Sequence, residues 1–334
     1  MKNRVIKFLC ALFLRKKGSP PPQKRVLIVS TTGLGDTLWA TPSLRALKKK
    51  DPTLFLAVLT SPGGSMALEG NPHIDALLTF KSISIFFTLK DLRFDTICLF
   101  HASQRVIFPL CYFLFPFRFI GTAGINKGLD SLFTHLIPPS HDHEIVRRLS
   151  LVGVKGAGTE MEVFFHTPAI SLPPDSYGIH PGAKDKFKQW TPEYYAELGR
   201  RLIKETQGTI FLTGSAEEKP LLTLIASQIP GSHILILPLP LLAAHMKQFR
   251  CFITNDTGPM HLALALKVPT LALFAPTDPT LCGPLNAPYA QIVQAPPTCF
   301  PCLKQKCHEP FCLRQISVDD VINKIKKMFP NFRR

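Results

Sequence analysis

A chain of 334 residues, 46% of them hydrophobic, is long enough to bury a large core and divides most naturally into two domains. The formal net charge of +16 excludes an acidic, solvating polypeptide and favours an anionic partner, either phospholipid headgroups or nucleic acid. The excess is uneven, since residues 1–50 hold twelve Lys and Arg against a single acid, Asp36.

Residues 1–23 form a basic, partly apolar leader. Lys7 interrupts its apolar core, no A-x-A site precedes the basic run at Arg15, and the stretch is too short to cross a bilayer. Drawn as a helix, it sets Arg4, Lys7, Ala11 and Arg15 on one stripe, with Phe8, Leu9, Leu12 and Phe13 over the rest. That pattern fits a helix lying in an anionic membrane interface, the alternatives being a disordered leader or a helix docked on the protein's own core. Pro20, Pro21 and Pro22 then act as a stiff spacer.

From Lys24 onward, apolar β-branched runs alternate with helical patterns. Val26–Val29, Leu54–Leu59, Phe94–Phe100 and Phe117–Gly121 read as strands. Helices are expected over Thr37–Lys50 and, broken at Pro109, over Arg105–Phe115. The proline-rich stretch 166–177 reads as a linker, after which the alternation restarts. Strands are expected at Tyr177–His180, Thr209–Thr213, Ile234–Leu237, Cys251–Thr254 and Thr270–Phe274. Between them lie helices at Pro192–Glu205, Ala216–Gln228, Leu239–Phe249 and Pro259–Leu266. This order predicts two doubly wound parallel sheets, residues 24–165 and 178–334, with ligands in a cleft at their strand C-termini.

Four motifs fall at strand ends. Gly33 and Gly35 with Asp36 form a G-x-G-D turn that lacks the P-loop lysine, and Leu38 stands where a dinucleotide fingerprint needs its third glycine. An aspartate here repels a pyrophosphate, which leaves two roles: a base for a hydroxyl substrate, or the cap of a helix starting at Thr37. Asn255, Asp256, Thr257, Gly258, Pro259, Met260 and His261 place a polar turn at a helix N-terminus, a seat for a diphosphate. The loop at Gly182 carries Lys184, Lys186 and Lys188, point-charge partners for phosphate oxygens. The fourth motif, Gly214 to Glu217, offers an acid to ribose hydroxyls.

Taken in order, GLGDTLWATPSLRALKK, HPGAKDKFKQWTPEYYAEL, LTGSAEE and NDTGPMHLALAL resemble the family 9 glycosyltransferases, best known for lipopolysaccharide heptosyltransferases. The resemblance runs from about Lys24 to near the end of the chain. It implies an α/β, GT-B architecture, two Rossmann-like doubly wound domains facing a cleft, with acceptor on the N-terminal half and donor on the C-terminal half. It implies inverting transfer of a sugar, heptose from ADP-heptose foremost, to a lipopolysaccharide core or lipid A–Kdo acceptor, with no cofactor required for catalysis. Asp36 matches the family's general base, on the acceptor-side loop of Gly33 and Gly35. Lys188 matches the lysine that contacts the diphosphate, and Glu217 the acid that contacts the nucleoside. Asp256, Thr257, Gly258 and His261 match the diphosphate and sugar loop, with Gly182 on the donor side as well. Such an enzyme works in the cytoplasm, peripherally on the inner face of the inner membrane, against an anionic surface.

Four of the nine cysteines, Cys299, Cys302, Cys307 and Cys312, cluster in a turn over 299–312, a density that suggests a structural zinc more than disulfides. Cys10, Cys98, Cys111, Cys251 and Cys282 sit in apolar stretches and are expected as buried thiols. Two other classes share some of these features. A nicotinamide-dependent oxidoreductase needs the missing glycine and an acid after the second strand, where Leu59, Thr60, Ser61 and Pro62 stand instead. A nucleic-acid binder with a zinc knuckle would use the charge, but the phenylalanines lie in apolar runs rather than among basic residues, so no nucleic acid is expected as a partner.

Overall fold

The computed structural model describes residues 24–101, 106–166, 170–299, 302, 307 and 311–329. The leader over 1–23 lies outside these residues. Two compact units divide between Phe164 and Phe165.

In the first unit, six strands are β1 (Arg25–Ser30), β2 (Phe55–Thr60), β3 (Ala76–Thr79), β4 (Thr96–Leu99), β5 (Arg118–Thr122) and β6 (His135–Ile137). The helices are α1 (Leu34–Leu38), α2 (Thr41–Lys50), α3 (Pro62–Leu68), α4 (Ile85–Leu92), α5 (Ile107–Tyr112) and α6 (Glu144–Leu151). All strand pairs are parallel, in the order β3-β2-β1-β4-β5-β6. The reason β1 reads as an unbroken apolar run is visible in its packing. Leu27 and Val29 enter the core on one face, while Ile28 enters a separate core on the other. A strand covered on both faces has no solvated side to alternate toward.

The second unit repeats the plan. Its strands are β7 (Ser176–His180), β8 (Thr209–Thr213), β9 (His233–Leu235), β10 (Cys251–Asn255), β11 (Thr270–Phe274) and β12 (Ala290–Gln294). Its helices are α7 (Pro192–Thr206), α8 (Lys219–Ala226), α9 (Leu239–Met246), α10 (Gly258–Ala265), α11 (Pro279–Cys282), α12 (Phe311–Arg314) and α13 (Val318–Met328). The sheet order is β12-β11-β10-β7-β8-β9, again all parallel. Numbered within each unit, both sheets run 3-2-1-4-5-6, so the winding reverses between β1 and β4 in one and between β7 and β10 in the other. Crevices at such reversals, beyond the strand C-termini, are where doubly wound sheets bind ligands.

Several elements differ from the expectations. The single helix over Thr37–Lys50 is two helices, because the ring of Pro42 cannot follow Leu38 within one helix without meeting its carbonyl. Thr41 Oγ1 donates to that Leu38 carbonyl at 2.9 Å instead. Pro109 does not break its helix. It sits in the first turn of α5, where its missing N–H is one of the donors that no helix satisfies internally. The glycine-rich α3 begins at an N-cap, Ser61, whose hydroxyl accepts the Gly64 N–H at 3.3 Å.

Candidate active site

The loop leaving β1 leads directly into α1, whose N-cap is Gly33. Asp36 is therefore not the cap of a helix starting at Thr37 but the third residue of a helix starting at Leu34. Its Oδ2 reaches back to accept the Gly33 N–H at 3.1 Å. Its Oδ1 faces Arg148 Nη2 at 3.3 Å, and the carboxylate stays 34% exposed. Arg148, on α6, is 2% exposed and lies over the rings of Trp39 and Phe100, 4.9 and 5.9 Å from their centroids. Glu144 Oε2 accepts from its other terminal nitrogen at 3.2 Å. Burial pulls the Arg148 guanidinium below its ordinary range, and the Glu144 and Asp36 carboxylates oppose that shift. A guanidinium remains charged regardless, so a fixed cation holds one oxygen of Asp36 while solvent reaches the group.

The floor beneath this loop is tightly packed. Thr37 Oγ1 lies 3.2 Å from Thr60 Oγ1, and a Cβ on Gly64 would stand 2.1 Å from the latter and 2.5 Å from the former. Thr31 Oγ1 lies 3.1 Å from His101 Nε2, so the chains leaving β1 and β4 meet across the reversal of the sheet. Gly35 is buried in α1, and Gly33 is exposed with an extended φ of −82°.

In the second unit the donor-side motifs converge on the reversal between β7 and β10. A short 3₁₀ turn after β7 carries Lys188, whose Nζ donates to Asp256 Oδ2 at 2.6 Å. Asp256 follows β10, is 7% exposed, and also accepts from Thr277 Oγ1 at 2.8 Å. Thr257 is the N-cap of α10, Gly258 its first residue, and His261 is buried in its first turn. Lys184 and Lys186 are exposed, so of the three loop lysines the structure turns Lys188 inward.

Asn255 fixes this arrangement. Its Oδ1 accepts from the Trp190 N–H at 3.2 Å and the Tyr195 hydroxyl at 2.9 Å. Its Nδ2 donates to the carbonyls of Pro181 and Gly182 at 2.9 and 3.2 Å. All four amide positions are used, which pins the loop after β7 to the end of β10.

The third motif holds two adjacent acids in different settings. Glu217 is fully exposed, whereas its neighbour Glu218 stands against Gly182 and Gly214. Glu218 Oε2 accepts the Ser215 N–H at 2.8 Å, and a Cβ on Gly182 would lie 1.8 Å from its Oε1. His180 is buried beside them, Nδ1 3.1 Å from Thr213 Oγ1. Burial holds it below the usual imidazole range, with the Glu218 charge working in the other direction.

Of the cysteine cluster, Cys299, Cys302 and Cys307 are half-buried and Cys312 is buried, while His308 lies outside the described residues. Among the described residues no three His, Cys, Asp or Glu side chains converge to hold a metal ion. Cys98, Cys111 and Cys251 are buried as expected, and burial pushes the Cys98 and Cys251 thiols up to about 12. Cys282 differs: it ends the short, half-exposed α11.

A family model described as glycosyltransferase family 9 (heptosyltransferase) matches residues 160–312, the stretch that contains every donor-side residue above. Lipopolysaccharide heptosyltransferase 3 of Escherichia coli K12 is 24% identical over 333 residues, covering 89% of this chain and 95% of that protein. Residues 160–312 thus carry the pattern of glycosyltransferase family 9. Lipooligosaccharide heptosyltransferase 2 of Campylobacter jejuni is 30% identical over 162 residues, an alignment that spans 45% of this chain and 50% of that relative. Among solved structures, E. coli ADP-heptose lipopolysaccharide heptosyltransferase II superposes with a TM-score of 0.72 at 19% identity, over 91% of this chain and 98% of that one. An E. coli heptosyltransferase with ADP gives 0.72 at 18% identity, over 91% and 99%. At these identities the likeness speaks for the fold, which is the GT-B type of α/β architecture built from two doubly wound units. Asp36 lies outside the matched stretch and stands on its geometry in the first unit.

Proposed function

We propose that this protein is a family 9 glycosyltransferase, an inverting, metal-independent heptosyltransferase that moves heptose from ADP-heptose to a lipopolysaccharide core or lipid A–Kdo acceptor. The observation that carries the donor reading is the meeting of Lys188 with Asp256 at the N-terminus of α10. It brings a cation and the positive end of a helix dipole to the reversal of a doubly wound sheet. The lysine ammonium has three donors and spends one on Asp256. It therefore keeps donors for a diphosphate without leaving Asp256 uncompensated. Glu218, fitted against Gly182, is better placed than Glu217 to receive nucleoside hydroxyls, and His261 and Thr257 belong to the sugar-diphosphate turn.

In the reaction, Asp36 takes the proton of the acceptor hydroxyl as its oxygen bonds to the anomeric carbon. The bond from that carbon to the diphosphate oxygen breaks on the opposite face, and ADP leaves with the electron pair. One attack from the far side inverts the configuration. Arg148 and the Gly33 N–H hold the Asp36 carboxylate for that transfer, and Lys188 with α10 stabilises the charge gathering on ADP. The relatives' names, lipopolysaccharide and lipooligosaccharide heptosyltransferases, support the sugar and the acceptor class. Such an acceptor is membrane-bound and anionic, so the enzyme is proposed to work peripherally on the cytoplasmic face of the inner membrane.

The test is to incubate the protein with ADP-heptose and lipid A–Kdo, following ADP release and the anomeric configuration of the product by NMR, with and without chelator. Transfer with inversion that survives chelation is expected. A retained configuration, or turnover restored only by magnesium or manganese, overturns the mechanism, and absence of transfer overturns the substrate assignment.

A further inference from the structure

One surface of the first unit is unlike the rest. α4 and α5 enclose an open groove of about 610 Å³ whose lining is almost wholly apolar. Phe86, Leu110 and Phe113 form its base. Ile83, Phe87 and Val106 stand on its rim, Ile83 70% and Phe87 68% exposed. The α4 helix accounts for both sides of this. Ile85, Phe86, Leu89 and Leu92 pack into the sheet's core, and Phe87 is left facing outward. Scattered single apolar side chains need no explanation, but a contiguous groove of them does.

Topology sets the groove's place. α4 follows β3 and α5 follows β4, so the groove is built at the same C-terminal edge of the parallel sheet as the Asp36 loop after β1. The contact of Thr31 with His101 ties that loop to the chain entering α5.

We propose that this groove is a bilayer contact, in which Ile83, Phe87 and Val106 enter the headgroup boundary of an anionic membrane and Lys81 and Lys90 meet its phosphates. The charge around the groove fits that partner. Lys81, Lys90 and Arg93 are exposed against a single exposed acid, Asp91, since Asp95 is engaged with the backbone N–H of Arg25. A second copy of the chain fits poorly. Each aromatic side chain buries roughly 150–250 Å², so this rim falls well short of the roughly 800 Å² per partner that a stable dimer needs. Apolar side chains flanked by lysines are what an interfacial contact requires. The inference rests on the reading of the acceptor as lipid-linked for its purpose, because it sets the base beside the membrane where such an acceptor is presented.

The experiment uses the full chain, with vesicles of phosphatidylethanolamine alone or mixed with phosphatidylglycerol, in a sedimentation assay. Wild type is expected to bind the mixed vesicles. Ile83→Glu and Phe87→Glu should each lower binding about tenfold, the effect of losing the burial of one large apolar side chain. Lys81→Gln and Lys90→Gln should lower it several-fold for the anionic vesicles alone, at about 1 kcal/mol per basic residue near the surface. Melting temperature and ADP release with a delipidated, water-soluble acceptor should be unchanged in all four. Variants that bind as wild type does overturn the proposal. So does a wild type that sediments with neither vesicle, or that forms a dimer which Phe87→Glu dissociates. Loss of all binding on deleting residues 1–22, with no loss in the groove variants, overturns it in favour of the leader. A wild type that transfers no heptose, yet binds through the groove, refutes the transferase reading and leaves this one standing.

Discussion

Replacing Asp36 separates its two roles, because each oxygen has a different partner. Oδ2 completes the start of α1 by accepting the Gly33 N–H, and Oδ1 meets the buried Arg148. Asp36→Ala removes both contacts and the base. Loss of a first-turn acceptor costs about 1 kcal/mol. The charged contact to Arg148 adds about 1 kcal/mol, taken at the low end because Asp36 is one-third exposed and Glu144 still pairs with Arg148. Asp36→Asn keeps an oxygen for Gly33 and about the same volume, but it cannot take a proton. Urea unfolding should therefore show Asp36→Ala destabilised by about 1–2 kcal/mol and Asp36→Asn by less than about 1 kcal/mol. Turnover at saturating ADP-heptose should fall by about two to four orders of magnitude in both, the scale of general base catalysis, with ADP affinity preserved. A folded Asp36→Asn that keeps turnover within about tenfold of wild type, short of the range for a lost base, refutes catalysis. It would return Asp36 to holding α1 and Arg148 alone.

Lys188→Ala should lower kcat by about 10²–10³, as when one donor to a developing oxyanion is lost, and should destabilise the second unit by leaving Asp256 buried with Thr277 alone. Adding Asp256→Ala should restore stability without restoring turnover, and unchanged kcat in Lys188→Ala sinks its role. Gly182→Ala forces Glu218 from its place, since the new Cβ would lie 1.8 Å from Oε1. Calorimetry should show ADP binding weakened about tenfold, the worth of one hydrogen bond to a charged group, and Glu218→Gln should show a smaller loss. Equal affinity in both variants removes Glu218 from the nucleoside site. His180 has a lowered folded-state pKa, so below an unfolded value of about 6.5 the unfolded chain binds more protons and stability falls as pH drops. Above that value His180 contributes no slope. Unfolding measured between about pH 7 and 5 should lose this slope in His180→Gln, and an identical slope there would refute the assignment.

What the linear chain determines is local and repetitive. The buried strands β1, β7, β10 and β11 announce themselves as apolar runs because both of their faces are covered. Asp36, Lys188, Asp256 and Gly258 were legible for the same reason: each lies within a few residues of such a strand's end, and spacing along the chain places it there. Short elements such as α3, α4 and α6 escape a sequence reading, since about two turns of helix leave too short a window for a period to stand out. Arg148 was missed with α6. It stands 112 residues from the carboxylate it holds, and nothing in its own neighbourhood marks it as anything but a helix-surface cation. The resemblance points to Glu217 alone, because two adjacent acids are equivalent along the chain until a turn exposes one and packs the other on Gly182 and Gly214. Strand order decided the rest. The reversal of winding sets the loop after β7 beside the loop after β10, and thereby joins Lys188 to Asp256 across 68 residues. It also brings the ends of β1 and β4 together, Thr31 against His101. Motif positions follow from covalent neighbourhood, whereas partners follow from which distant surfaces folding buries against each other, and that is a property of the packed sheet as a whole.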